Sequence, residues 1–386
     1  MREDLDRVPW KLLRHNYGRA TDVPALLRRC GDRDVSAAGD ALDDLTNLLY
    51  HQGGWVCSAA SAALPFLLDL AEDVTVHHRP ETVALVARLV DEASIVEARF
   101  VDQDWPGAVE PAVPRMLALL DDPDPQVRRE ATYLVSRPGL PAGTAVAALT
   151  QRWRTETDRI TRRDLALALG ALLARDPSED SLRSELYAAL DSSDSQLGLA
   201  ALHALAPTLP DLPVRRLAEA VAAVRHDDAA DWQESAWLGG GSRQVIVNQT
   251  ARLLRHDPAS ATTFTLAVGR AADRDERIAG MQQAATLLAE WRAVAPGLAD
   301  FLAERLADDD PEVRFRAAYL MGCVPATASG DVLAGLAADA APRDTRQSTT
   351  VGDAAAWALA RLNDPRCLPA LVERLTGPRA RGRTGG

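Results

Sequence analysis

"DDPDPQVRREATYLVSR", residues 121–137, and "ADDDPEVRFRAAYLMGC", residues 307–323, follow one pattern. Each runs Asp-Pro, one variable residue, Val-Arg, and then Ala-x-Tyr-Leu. Apolar or small residues stand at the valine, four later and seven later: Val127, Ala131 and Leu134 in one, Val313, Ala317 and Leu320 in the other. That spacing marks one face of a helix. The aspartate three residues ahead of the valine is a natural N-cap, and the proline after it fits a first helical turn. Alanine in the middle of the face lets a neighbouring helix come close.

The pattern recurs more loosely at Leu197/Ala201/Ala204, Ile246/Thr250/Leu253 and Val351/Ala355/Ala358. Two weaker copies open at Ile160 and Ile278, with Asp164 and Gln282 where the small residue is expected. Successive anchors lie 33, 37, 49, 32, 35 and 38 residues apart. A pair of helices needs about 30 to 45 residues, so this period predicts an all-α stacked solenoid. Period-two runs bounded by turn residues are absent.

The Asp-Pro-x-Val-Arg-x-x-Ala-x-x-Leu core resembles the HEAT repeat, in the short bacterial form also found in phycobilisome lyases. The resemblance covers about residues 107–375 and implies an α-superhelix of HEAT-like pairs. Residues 1–106 are expected to form a divergent helical cap. Within them, "HNYGRATDVPALLRR" (15–29) and "YHQGGWVCSAASAALPFLLDL" (50–70) resemble the opening segment of actinobacterial HEAT-repeat proteins. What the resemblance implies about function is broad: most such arrays hold proteins, and some are enzymes, including bilin lyases and alkyl-base DNA glycosylases.

Composition narrows the classes. The 386-residue chain carries a formal charge of −12, with 43 basic and 55 acidic residues. Such a balance argues against nonspecific nucleic-acid binding, where phosphate neutralisation dominates affinity. Cys30, Cys57, Cys323 and Cys367 form no C-x-x-C pair, so they read as free thiols of a reducing cytoplasm. No uninterrupted run of apolar residues is long enough to span a bilayer. "MREDLDRVPW" lacks the apolar centre of a signal peptide, and the Gly/Arg-rich end, 376–386, reads as disordered.

Two stretches carry candidate chemistry. In "LLYHQGGWVCSAAS" (48–61), Asn47 and His51 stand four apart on a helix with Tyr50 beside them, a set that could orient an imidazole for proton transfer. The plainer reading is a helix end: glycines Gly53 and Gly54 as a C-cap, histidine favoured by the helix dipole, and Trp55 seating the corner. Asp43 lies two turns from His51, too far for a relay.

The 49-residue gap contains an insertion, 226–243, in which Asp227, Asp228, Asp231 and Glu234 surround Trp232 and Trp237. Acidic residues beside aromatics suit a basic peptide or protein, the charges steering and the tryptophans anchoring. The competing reading is a solvated loop with a tryptophan tucked back. Asn248, on the helix that follows, and Trp55 of the first stretch join the expected binding set. "GGGSRQ" lacks the lysine of a nucleotide P-loop, and His77-His78 have no spaced partners for a metal. Neither metal nor cofactor is expected.

The leading expectation is a binding protein that holds a basic protein or peptide on its concave face, as scaffold or as inhibitor of immunity type. The alternative is a HEAT-like lyase, cyclase or tailoring enzyme built on His51, Asn47 and Tyr50. A DNA glycosylase ranks third, because the chain lacks a basic groove. No membrane contact is expected.

Overall fold

The computed structural model describes residues 2–208, 214–225, 227–238, 243–254, 257–324, 329–344 and 349–376. The expected disordered end, apart from Thr376, lies outside them. The chain divides into two compact units, residues 1–210 with 231–241, and residues 211–230 with 242–386.

The first unit contains α1 (Arg2–Leu5), β1 (Arg14–His15), β2 (Gly18–Arg19), α2 (Val23–Cys30), α3 (Val35–Leu49), α4 (Ser58–Glu72), α5 (Arg79–Ile95), α6 (Trp105–Ala118), α7 (Pro125–Ser136), α8 (Ala142–Thr155), α9 (Arg159–Arg175), α10 (Asp180–Leu190) and α11 (Ser195–Leu205). Helices α3, α5, α7, α9 and α11 stack in one layer, while α2, α4, α6, α8 and α10 back them in a second. Strands β1 and β2 pair antiparallel in a tight hairpin, an element absent from the sequence expectation.

The second unit contains α12 (Val214–Arg225), α13 (Arg243–Leu253), α14 (Pro258–Gly269), α15 (Arg274–Glu290), α16 (Ala295–Arg305), α17 (Pro311–Met321), α18 (Gly330–Leu336), α19 (Val351–Arg361) and α20 (Leu368–Thr376). Here α13, α15, α17 and α19 form one layer, with α12, α14, α16 and α18 behind. Each unit is therefore an α-solenoid of helical pairs.

The physical basis is the one the repeat pattern encodes. Asp124, Asp158, Asp194, Asp273 and Asp310 each accept a backbone N–H of the first turn that follows. Ala131 and Ala317 are fully buried. Gly170 touches the backbone of Ala204, and Gly280 that of Gly269, at distances that leave no room for a Cβ.

The arginine after the anchor has a role beyond the helix face. Arg128 Nη1 donates to the carbonyls of Asp122 (2.8 Å) and Pro123 (3.1 Å), and Arg314 Nη1 to those of Asp308 (2.8 Å) and Asp309 (3.0 Å). Each then reaches an acid of the next repeat, Glu156 for Arg128 and Asp339 for Arg314. The arginine thus ties its own entry loop to the following pair.

The same contact corrects the register of the two weak copies. Arg162 donates to the carbonyls of Trp153 and Glu156, and Arg277 to that of Ala272. The anchors are therefore Thr161 and Glu276, both buried, and not the half-buried Ile160 and Ile278. Four residues after these anchors come Leu165 and Gly280, which fit the apolar face; Asp164 does not belong to it.

Candidate functional site

Two helical stripes face each other across the first unit. On α5, Glu81, Ala84, Arg88 and Asp91 follow one another at helical spacing; on α7, Gln126, Glu130 and Tyr133 do the same. Together with Tyr50 at the end of α3, they line an open groove of about 550 Å³. Ser235 and Ala236 of the 226–243 insertion close one side.

Residues 231–237 reach that position because they are pinned along α7, α9 and α11. Asp231 pairs with Arg159 at 2.5 Å. Trp232 is only 1% exposed; its Nε1 donates to Gln196 Oε1 at 2.8 Å, and Arg163 lies over its ring at 4.3 Å. Ser235 Oγ donates to Asp164 at 3.4 Å. Trp237 meets Tyr133 edge to face, with Arg137 stacked on both rings at 4.7 and 4.2 Å. The expected partner anchor is thus corrected at Trp232: a large indole beside polar residues gains more by burial on its own chain than by standing in water.

Beneath the groove lies a buried charge cluster. Asp164 is fully buried and accepts from Arg129 at 3.1 Å and from Arg163 at 2.9 and 2.6 Å. Such a pair is tolerable only because both partners are present. Beside it, Glu130 is half-buried and makes no hydrogen bond or ion pair among the described residues. Burial, then repulsion from Asp164, pushes its carboxyl up to about 7, against the pull of Arg129 and Arg88. Burial likewise raises Tyr50 and Tyr133, with Glu92 adding to the rise at Tyr50 and Asp91 at Tyr133. Arg88 is exposed and lies 5.9 Å from the Tyr50 ring.

The second candidate stretch comes together in part. His51 Nδ1 is 2.9 Å from Asn47 Oδ1 and 2.7 Å from the hydroxyl of Tyr17, whose own hydrogen bond to Asn47 is 3.3 Å. The third member is therefore Tyr17 of the β1–β2 turn, while Tyr50 points to the groove. The trio stands on an exposed corner. His51 itself takes the left-handed conformation, φ 50°, followed by Gly53 and Gly54 at 82° and 90°. The carboxylate of Glu92 accepts the Gly54 N–H, so α5 holds the corner. Trp55 is half-buried there.

The other expected residues scatter. The side chains of Asp227, Asp228 and Glu234 lie outside the described residues. Asn248 belongs to the second unit and accepts from Gln283 at 2.6 Å. His77 and His78 engage the carbonyls of Arg33 and Val35 and so brace the loop ahead of α3. Among the described residues no group of three His, Cys, Asp or Glu side chains is placed to hold a metal, and no helix is long and apolar enough to cross a membrane. Sequence reasoning missed Glu81, Arg88, Asp91, Glu130 and Tyr133. Their signal was present as polar positions at helical spacing, but nothing in one helix says which other helix it faces.

Residues 351–377 match the family model of the PBS lyase HEAT-like repeat. No curated protein sequence matches the chain. A solved structure of Kap95p binding to RanGDP is similar over 99% of this chain, at 15% identity and a TM-score of 0.47, and the chain spans 51% of the length it matches there. The chain thus carries a match to the PBS lyase HEAT-like repeat in its second unit, and the first unit, with its Asp-capped, arginine-tied helix at 121–137, is built from stacked helical pairs as well.

Proposed function

We propose that the protein is a binding module that holds a basic segment of a partner protein in the groove of its first unit. One observation carries the reading: Glu130, half-buried at the groove and without a partner of its own, stands with Glu81 and Asp91 on walls that also present Tyr50 and Tyr133. An unpartnered carboxylate beside aromatic rings suits an ammonium or guanidinium group. The formal charge of −12 favours encounter with a basic partner at long range. An inhibitor or immunity-type protein covering a basic enzyme is one form of this role, and the cytoplasm, where free thiols stay reduced, is its proposed setting.

The test compares fluorescent peptides of matched length, one arginine-rich and one glutamate-rich. The arginine-rich peptide should bind, and the combined substitution Glu81→Gln, Asp91→Asn and Glu130→Gln should weaken it by about tenfold or more. Preference for the acidic peptide would sink the reading.

The hydrogen-bonded Tyr17–His51–Asn47 trio favours a second reading, an enzyme of lyase, cyclase or tailoring type acting at the corner. There His51→Ala would remove turnover by about 10²–10⁴-fold with the fold intact. On the binding reading the same substitution leaves peptide affinity unchanged.

A further inference from the structure

The charges around Glu130 are already committed, and unevenly. Arg129, its neighbour on α7, turns to Asp164, which Arg163 of α9 also grips. Asp91 of α5 stands 3.7 Å from Arg137. Glu81 of α5 lies 3.9 Å from His78 Nδ1, outside hydrogen-bond reach. Arg88 of α5 is exposed and leans toward Tyr50. From the insertion, the buried Ser235 spends its hydroxyl on Asp164. No cation among the described residues is hydrogen-bonded to Glu130, and the groove leaves space beside it.

We infer that a single lysine or arginine side chain of the partner seats against Glu130, in the space the groove leaves beside its unpartnered carboxyl, and that loading displaces a proton from that carboxyl. The displaced proton goes to solvent, and the carboxylate left behind accepts hydrogen bonds from the incoming cation. The inference rests on the binding reading above and adds a condition to it: loading is coupled to proton release.

The sign follows from the empty state. Burial and Asp164 hold the free carboxyl up to about 7. A cation in contact favours the ionised form, so the loaded carboxyl titrates lower. Below neutrality the empty groove binds a proton that the loaded groove does not, and the partner must expel it. Apparent affinity for a cationic side chain therefore falls as pH drops below about 7, approaching about tenfold per pH unit, and is flat above. An anion seated on Arg88 would show the opposite slope, because it would favour the protonated carboxyl.

The experiment titrates the full chain with acetyl-Gly-Arg-Gly-amide, and separately with acetyl-Gly-Glu-Gly-amide, from about pH 5.5 to about pH 8.5. Binding and the Glu130 carboxyl carbon are both followed by NMR. Expected are weaker arginine binding at the acid end, a carboxyl midpoint that moves down on saturation, and loss of the slope in Glu130→Gln. Should that variant fail to fold, the carboxyl midpoint of the unaltered protein decides alone. Arginine binding that is independent of pH would overturn the proton coupling and leave the binding reading standing. Tighter binding on acidification, or preference for the glutamate probe, would show an anion site and overturn the inference. If the arginine probe binds at no pH, both readings fall together.

Discussion

Gly53 occupies a position that no other residue fills without strain. Its φ is 82°, and a Cβ there would lie 2.7 Å from an oxygen of Glu92, the side chain that grips the next N–H. Gly53→Ala should therefore cost about 1–3 kcal/mol, read as a lower midpoint in urea. An unchanged midpoint would mean that Glu92 is not what holds the corner. Glu130 makes the opposite kind of statement. Burial and Asp164 push its folded carboxyl up to about 7, whereas an unfolded glutamate titrates at about 4.3. The native state thus holds the extra proton between those values, and stability drains away as pH rises through that window. Glu130→Gln, which keeps the shape and removes the charge, should stabilise the protein above pH 7 by about 1–3 kcal/mol and leave it near parity at about pH 4. Thermal melts of both proteins across pH would check this; a gain that is equal at all pH values would assign the effect to packing instead.

Between neighbouring helix pairs, one arginine serves twice, and its two best copies differ in burial. Glu156, the partner of Arg128, has a side chain that is 0% exposed, while Asp339, the partner of Arg314, is 22% exposed. Removing a cation from a buried acid leaves a desolvated charge behind. Arg152 also pairs with Glu156 and softens the loss. Arg128→Gln should still destabilise by about 2–3 kcal/mol and Arg314→Gln by about 1 kcal/mol, in that order, by chemical denaturation. Equal losses would mean that the loop carbonyls, to which both arginines donate alike, carry the effect. These strong copies were legible because capping, anchor and small residue coincide within one helix. The weak copies slipped, by one residue at Ile160 and by two at Ile278, because a β-branched residue beside the true anchor mimics it. The contact of Arg162 or Arg277 with its own entry loop is a matter of tertiary geometry. The site was less legible still. Its walls come from α5 and α7, whose separation in sequence is bridged only by packing, and the insertion that closes it admits two readings from sequence, tryptophans that anchor a partner or one tucked back. At Trp232 the burial decides for the second, since Gln196 offers its indole an acceptor inside the fold.

Across the whole molecule, 43 basic residues stand against 55 acidic ones, and many of the arginines are spent within the chain. Arg79–Asp122, Arg128–Glu156, Arg159–Asp194 and Arg274–Asp310 each bind one helix to the loop that opens the next in its layer. Cations held in this way are neutralised at short range, so the field that a distant partner meets is set by the acidic excess. That field and the groove act at different distances, which makes them separable by kinetics. Raising ionic strength from about 0.05 M to about 0.5 M should slow association with an arginine-rich peptide by about tenfold or more, as the Debye length contracts. Dissociation should change far less, because it reports contacts made inside the groove. Tyr133→Ala, which removes a groove wall and leaves net charge alone, should do the reverse: faster dissociation at unaltered salt dependence. Trp232→Ala should lower stability without a kinetic signature of its own, its indole being internal. Stopped-flow traces at several salt concentrations distinguish the cases. If salt acts on dissociation and leaves association untouched, steering by the acidic field is refuted, and the groove alone has to account for the choice of partner.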